Sequence, residues 1–309
     1  IEYAGGGNYQ HGIAIRDSEA IGDSILWTGG YTGGHGIHSH RSTISENYIS
    51  NSTGYSWEHN LIVNYGSESQ RGLISQNTIY PSNDGRGIYA RWTDIEGNNL
   101  NAQIHADSAN HNWAITTDDY CNITNNQIVG FGYGINADHD WDCKVTGNHI
   151  QTRYWGVYAN NSRGDHVIEN NTFDKYTTNG DWLIYVTNAA SVTVRGNECE
   201  ALGGSGFYFN NTDVTVERNL IVSPGRGIEL TNQAGGKVLN NTLVTENSGD
   251  YGIKVSNLST PVIRNNILKG YQTGMQIDND IMNTNVSHNA LWSIGGELFT
   301  GSAIAPLMA

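Results

Sequence analysis

The hexapeptide Ile123-Thr124-Asn125-Asn126-Gln127-Ile128 returns 22 residues later as Val145-Thr146-Gly147-Asn148-His149-Ile150. The pattern is an aliphatic residue, two free positions, Asn, one free position and a second aliphatic residue. Its Asn falls at Asn47, Asn77, Asn98, Asn126, Asn148, Asn171, Asn197, Asn219, Asn241, Asn266 and Asn289, and Ser24 takes the place in Ile21-Gly22-Asp23-Ser24-Ile25-Leu26. The intervals cluster near 22 or 23 residues, too short for helix-pair repeats of about 33 residues or more. A second motif, Gly followed by an aliphatic or aromatic residue, recurs between them at Gly36-Ile37, Gly87-Ile88, Gly134-Ile135, Gly156-Val157, Gly206-Phe207, Gly227-Ile228, Gly252-Ile253 and Gly274-Met275. Period-two alternation punctuated by Gly and Asn is the signature of short strands and tight turns.

Three short strands per repeat, wound so that each turn lies about 4.8 Å above the last, make an all-β solenoid: a right-handed parallel β-helix of about twelve rungs. The recurring Asn has a structural role in it. At a bend between strands Asn tolerates left-handed backbone angles, and its amide can bond to the same amide on neighbouring rungs, forming an internal ladder. With 38 Gly, 4 Pro, 15% charged residues and no linker-like break, residues 1–309 read as one domain. The pattern resembles the right-handed β-helix superfamily of pectate and alginate lyases, uronan epimerases, polygalacturonases and phage tailspikes, and the resemblance covers the chain.

The net charge of −14 excludes nucleic acid or an anionic membrane as partner for the molecule as a whole. No segment is apolar for long enough to span a bilayer. The chain begins at Ile1 without Met or signal peptide, as expected of a mature or trimmed part of a secreted protein.

Cys121 and Cys143 each stand five residues before a ladder Asn. Stacked on consecutive rungs, their Cα atoms fall within disulfide range, so a bridge or a pair of reduced core thiols both fit. Cys199 reads as plain core. Sequons such as Asn122-Ile123-Thr124 arise as by-products of the Asn-rich ladder.

The chemistry is concentrated early: ten of eleven His lie at or before His166 and seven of eight Trp at or before Trp182. A solenoid core needs no such asymmetry, so residues 11–166 read as the working half and the rest as support. His35, His38 and His40 form an imidazole cluster able to bind substrate or a transition metal, since alternate strand residues share a face. Gly34-His35-Gly36-Ile37 resembles the polygalacturonase Gly-His-Gly motif, but Gln10-His11-Gly12 lacks the carboxylate that a glycoside hydrolase requires on the preceding rung. Long intervals after Asn47 and Asn98 carry Trp57, His59, His105 and His111 as insertions. Arg86, Tyr89, Arg91 and Trp92 are placed to grip carboxylates and stack on sugars, and so are Trp155 and Tyr158.

Tyr133-Gly134-Ile135-Asn136-Ala137-Asp138-His139-Asp140 resembles the Tyr-Gly-hydrophobic-Asp-Pro-His-acidic signature of mannuronan C5-epimerases. It departs from that signature at Asn136, at Ala137 and by one residue inserted before His139. The resemblance implies an enzyme of the lyase or C5-epimerase class acting on an acidic, uronic-acid-containing polysaccharide, with Tyr133 and His139 as proton carriers; Arg153 is the added carboxylate clamp. Lyases and epimerases share a first step, in which the uronate carboxylate is neutralised and a base removes the C5 proton. Asp138, Asp140 and Asp142, at alternate positions, are candidate Ca²⁺ ligands, although Cys143 stands where an EF-hand-type loop needs Gly; a solvated acidic turn is the alternative. No organic cofactor is implied. The competing class is a non-catalytic surface, adhesin or filament-forming β-helix.

Overall fold

The computed structural model describes residues 2–3, 12–27, 35–51, 60–81, 85–102, 112–138, 140–175, 181–201, 204–222, 225–246, 249–257, 259–278 and 285–300. Among these residues there is no helix, and strands of two to six residues follow one another in a fixed rotation. Each turn has a strand opened by the glycine motif, a strand approaching the ladder Asn, and a strand leaving it. Like strands pair in parallel with like, giving a glycine sheet, an approach sheet and an exit sheet. The chain forms two compact units, residues 1–153 and 154–309. In the first the three sheets hold six, six and seven strands, in the second seven, six and six.

The inward columns explain why the pattern folds this way. In the first unit Ile37, Ile62, Ile88, Ile115 and Ile135 stack on the glycine sheet, Ile44, Ile74, Ile95, Ile123 and Val145 on the approach sheet, and Ile49, Ile79, Leu100, Ile128 and Ile150 on the exit sheet; all are essentially fully buried. The second unit repeats the plan with Ile184, Phe207, Ile228, Ile253 and Met275, with Val194, Val216, Val238 and Ile263, and with Phe173, Cys199, Ile221, Leu243 and Leu268. Each side chain removed from water contributes about 1.5–3 kcal/mol before entropy is charged against it. Cys199 sits in the core column as expected. Cys121 and Cys143 are both buried free thiols, so the bridge is not formed.

The asparagine ladder is present. Asn98 Nδ2 donates to Asn126 Oδ1 at 2.9 Å and Asn126 Nδ2 to Asn148 Oδ1 at 3.0 Å; in the second unit Asn197, Asn219, Asn241 and Asn266 continue in the same way. Each Oδ1 also accepts the backbone N–H of the neighbouring ladder residue, as Asn148 does from Asn126 at 2.8 Å. Each Nδ2 reaches a backbone carbonyl besides, for example that of Ile95 from Asn126 at 2.9 Å. Buried amides thus keep their hydrogen bonds, which is what makes burying them tolerable.

Two sequence expectations are corrected here. Asp23, not Ser24, occupies the ladder place in the first rung: Ser24 pairs with Tyr48, Ile25 with Ile49 and Ala20 with Ile44, and the Asp23 N–H donates to Asn47 Oδ1 at 2.8 Å. Ile21 is accordingly 49% exposed, because a one-residue slip sends a side chain to the other face. The left-handed residue is not the ladder Asn but the one before it, as at Glu46, Gln76, Asn125, Asn170, Arg218, Asn240, Asn265 and His288, or Gly22, Gly97, Gly147 and Gly196.

The recurring glycine has a steric cause. A Cβ at Gly227 would lie 2.1 Å from the Gly252 carbonyl oxygen, and one at Gly206 would lie 2.4 Å from that of Gly227. Rungs approach too closely at this corner for any side chain.

Candidate functional site

In the first unit the outward side of the glycine sheet gathers His38, His40, Tyr89 and Arg91. One column runs Ala14, His38, Val63, Tyr89, Thr116, Asn136, and beside it runs Arg16, His40, Tyr65, Arg91. The rings touch: His38 lies 5.2 Å from His40 and 5.8 Å from both His35 and Tyr65, while Tyr65 lies 5.2 Å from His40 and 5.7 Å from Tyr89. Tyr65, which the sequence reading passed over, is the hub of this cluster. Its position two residues past Val63 on an alternating strand is the signal that could have found it.

The cluster is charged on its far side. Tyr89 Oη donates to Asp118 Oδ2 at 3.0 Å, and Arg91 pairs with Asp119 at 2.6 Å. Burial, and then the Asp118 carboxylate with its hydrogen bond, hold the Tyr89 phenol well above its ordinary value. Burial and Asp118 raise Tyr65 as well. Both phenols are protonated at neutral pH and unsuited to taking a proton, and the Tyr89 hydroxyl already donates to Asp118. A base on this face would be an imidazole.

Arg86 opens the strand Arg86–Arg91 on its outward side, half-buried. Tyr133 opens the strand Tyr133–Asn136 and stacks on Trp113 of the paired strand, ring centroids 4.6 Å apart. Arg153 follows the exit strand His149–Thr152 and bonds through its N–H to the Phe131 carbonyl at 3.1 Å, one rung from the residues leading into Tyr133. Trp92 stands apart from this face, at the left-handed corner between glycine and approach strands, 4.1 Å from Tyr120. Trp155 and Tyr158 belong to the second unit, stacked 4.8 Å apart. His139, and the insertion residues Trp57, His59, His105 and His111, lie outside the described residues.

The three aspartates occupy different surroundings. Asp140 is fully buried and accepts a 2.6 Å hydrogen bond from Thr117, beside Cys121 and Cys143. Burial raises its carboxyl to about 7 against the opposing pull of Thr117 and backbone N–H groups. Asp138 bonds through its N–H to Asn136 Oδ1 at 3.1 Å, and Asp142 takes the left-handed corner. Among the described residues no three His, Cys, Asp or Glu side chains are grouped to hold a metal ion.

In the second unit the glycine sheet carries the column Tyr158, Tyr185, Tyr208, Glu229, Lys254, Gln276, of which Tyr158 alone was named as a binding residue from the sequence. A cleft of about 310 Å³ at a corner of the same unit is lined by Glu169, Arg195 and Arg218 and holds none of the residues named from the sequence. No described helix is long and apolar enough to cross a membrane.

No curated protein matches the sequence. Among solved structures, PfbA, a surface adhesin of Streptococcus pneumoniae, is similar over 94% of this chain and 86% of its own, at 12% identity and a TM-score of 0.47. The A-module of the Azotobacter vinelandii mannuronan C-5 epimerase AlgE6 is similar over 85% of this chain and 91% of its own, at 12% identity and a TM-score of 0.44. Both likenesses concern the fold alone. The family described as "Right handed beta helix region" matches residues 113–249 and 184–304, together more than half of the sequence. With three parallel sheets and an internal asparagine ladder beside that match, the chain belongs to the right-handed β-helix family.

Proposed function

We propose that the protein is an extracellular carbohydrate-active β-helix whose first-unit glycine-sheet face acts on a uronic-acid-containing polysaccharide by C5 proton abstraction, as a lyase or C5-epimerase. The observation that carries this reading is the convergence of His38, His40, Tyr65 and Tyr89, with ring separations of 5.2–5.8 Å, next to Arg91. In this reading each part of the reaction falls to one group on this face. Arg91 faces the uronate carboxylate, a neutral imidazole accepts the C5 proton, and a phenol hydroxyl donates one. Tyr133, at the start of a glycine-sheet strand, and Arg153, just past an exit strand, form with His139 from the sequence resemblance an alternative set of proton carriers and clamp.

A second reading, non-catalytic binding of a surface glycan, has its own support. Arg91 is already paired with Asp119 and Tyr89 with Asp118, so both groups have partners in the absence of substrate. Incubation with alginates, pectates and glycosaminoglycans separates the two. Ultraviolet absorbance of unsaturated ends or solvent proton exchange at C5 by NMR is expected; neither signal on any uronan, with binding intact, moves the function to the second reading. The assay is run with and without calcium, since Asp138 and Asp142 remain candidate ligands on the turn after the Tyr133 strand.

A further inference from the structure

The outward column of the second unit lies on the side of the glycine sheet opposite the core column. Tyr158, Tyr185 and Tyr208 occupy one place on three successive rungs, with ring centroids 5.7 and 4.7 Å apart and planes within 11° of parallel. Trp155 lies over the first two, 4.8 Å from Tyr158 and 5.3 Å from Tyr185. Rings at these separations and angles overlap like tiles. All three tyrosines are half-buried, so each keeps part of its side chain at the surface. Inward, the same strands bury Val157, Ile184 and Phe207, which already hold the rungs together.

The column ends on groups whose charges are met internally. Glu229 accepts from the Tyr251 hydroxyl and pairs with Lys254 at 3.3 Å. Arg226 lies 5.9 Å from the Trp182 ring and 3.6 Å from the Asp250 carboxylate, and Trp182 packs 5.3 Å from Tyr208. The strip therefore offers aromatic surface in a row, with Lys254 and Arg226 each facing an acid. Rigid tyrosines present such area at low entropic cost.

We propose that this strip of the second unit is a glycan site of its own chemistry, which binds an extended neutral polysaccharide with its chain running along the stack of rungs. One ring per rung repeats on the length scale of a single pyranose, so consecutive sugars meet equivalent positions. A polyanion gains nothing from paired charges, and the net charge of −14 opposes it. Burial raises the Tyr185 and Tyr208 phenols above their ordinary value, and at neutral pH a phenol hydroxyl can donate to a sugar oxygen.

The test is affinity electrophoresis of the full chain through gels containing hydroxyethyl cellulose or glucomannan, with alginate and pectate for comparison, at low and high salt. Retardation by a neutral glycan that persists at high salt is expected, and Tyr185→Ala and Tyr208→Ala should each weaken it about tenfold while leaving the melting temperature near that of the parent. If Tyr185→Ala fails to fold, Tyr185→Leu keeps apolar bulk on the face and should show the same loss. Tyr89→Phe, in the first unit, should leave this binding unchanged, so failure of the uronan reading and failure of this one are told apart. No retardation by any neutral glycan, unchanged retardation in the folded ring-deleted variants, or retardation by uronans alone that salt abolishes would each overturn the proposal.

Discussion

The Thr117 hydroxyl donates a 2.6 Å hydrogen bond to Asp140 Oδ2 inside the first unit, next to the thiols of Cys121 and Cys143. An acid placed there is costly to ionise, and its carboxyl titrates near 7 instead of 3.8. The folded state therefore holds its proton where the unfolded chain has lost it. Stability should fall as pH rises from about 4 to about 7 and level off above, by about 4 kcal/mol at most. Asp140→Asn should flatten this slope and melt higher than the parent at pH 8. A parent protein whose urea midpoint does not decline across that range would show that Asp140 is ionised in the fold.

Asn126 and Asn125 are adjacent and should respond in opposite ways. Asn126→Ala removes the acceptor for the Asn98 amide and N–H and the donor to Ile95, leaving buried groups unpaired. A loss of about 3 kcal/mol or more is expected. Asn125→Gly keeps the left-handed corner at φ 55° and should change stability by less than about 1 kcal/mol. Denaturant midpoints of the two variants decide it; equal losses would mean that the ladder contributes little.

Glycines at two corners are retained for different reasons. Gly227→Ala drives a Cβ to 2.1 Å from a backbone oxygen of the next rung and should cost about 3 kcal/mol or prevent folding. Gly22→Ala meets nothing within 4 Å and suffers only from its φ of +68°, a cost of about 1–2 kcal/mol. Circular dichroism melts of both variants test the ranking.

If the first-unit face is catalytic, Tyr89→Phe should lower turnover on the active uronan by about 100-fold or more with little change in substrate affinity. Tyr133→Phe tests the alternative proton carrier in the same assay, and Arg153→Ala should weaken binding as well as turnover. Full activity in both phenylalanine variants would remove proton transfer by tyrosine from the mechanism.

The repeat made the architecture legible, because a solenoid writes the same core into every turn. Ile44, Ile74, Ile95 and Ile123 can be read as one buried column from their distance to the following Asn. The outward strand faces were legible in part for the same reason, as His38, His40, Tyr89 and Arg91 show. Where the repeat is weakest the reading slipped: Ile21 drew the first rung one residue out of register, and hydrogen bonding to Asn47 puts Asp23 in its place. The amino-acid sequence by itself determined the fold class, the ladder and the strand faces, since these follow from local periodicity and hydrogen-bonding capacity. Only the tertiary structure decided that Asp140 points inward to Thr117, that Tyr65 joins His38 and His40, and that three tyrosines from separate turns stack in a row. Those relationships depend on which rung lies above which and on side-chain direction at irregular turns, and insertions of varying length hide both from a one-dimensional pattern.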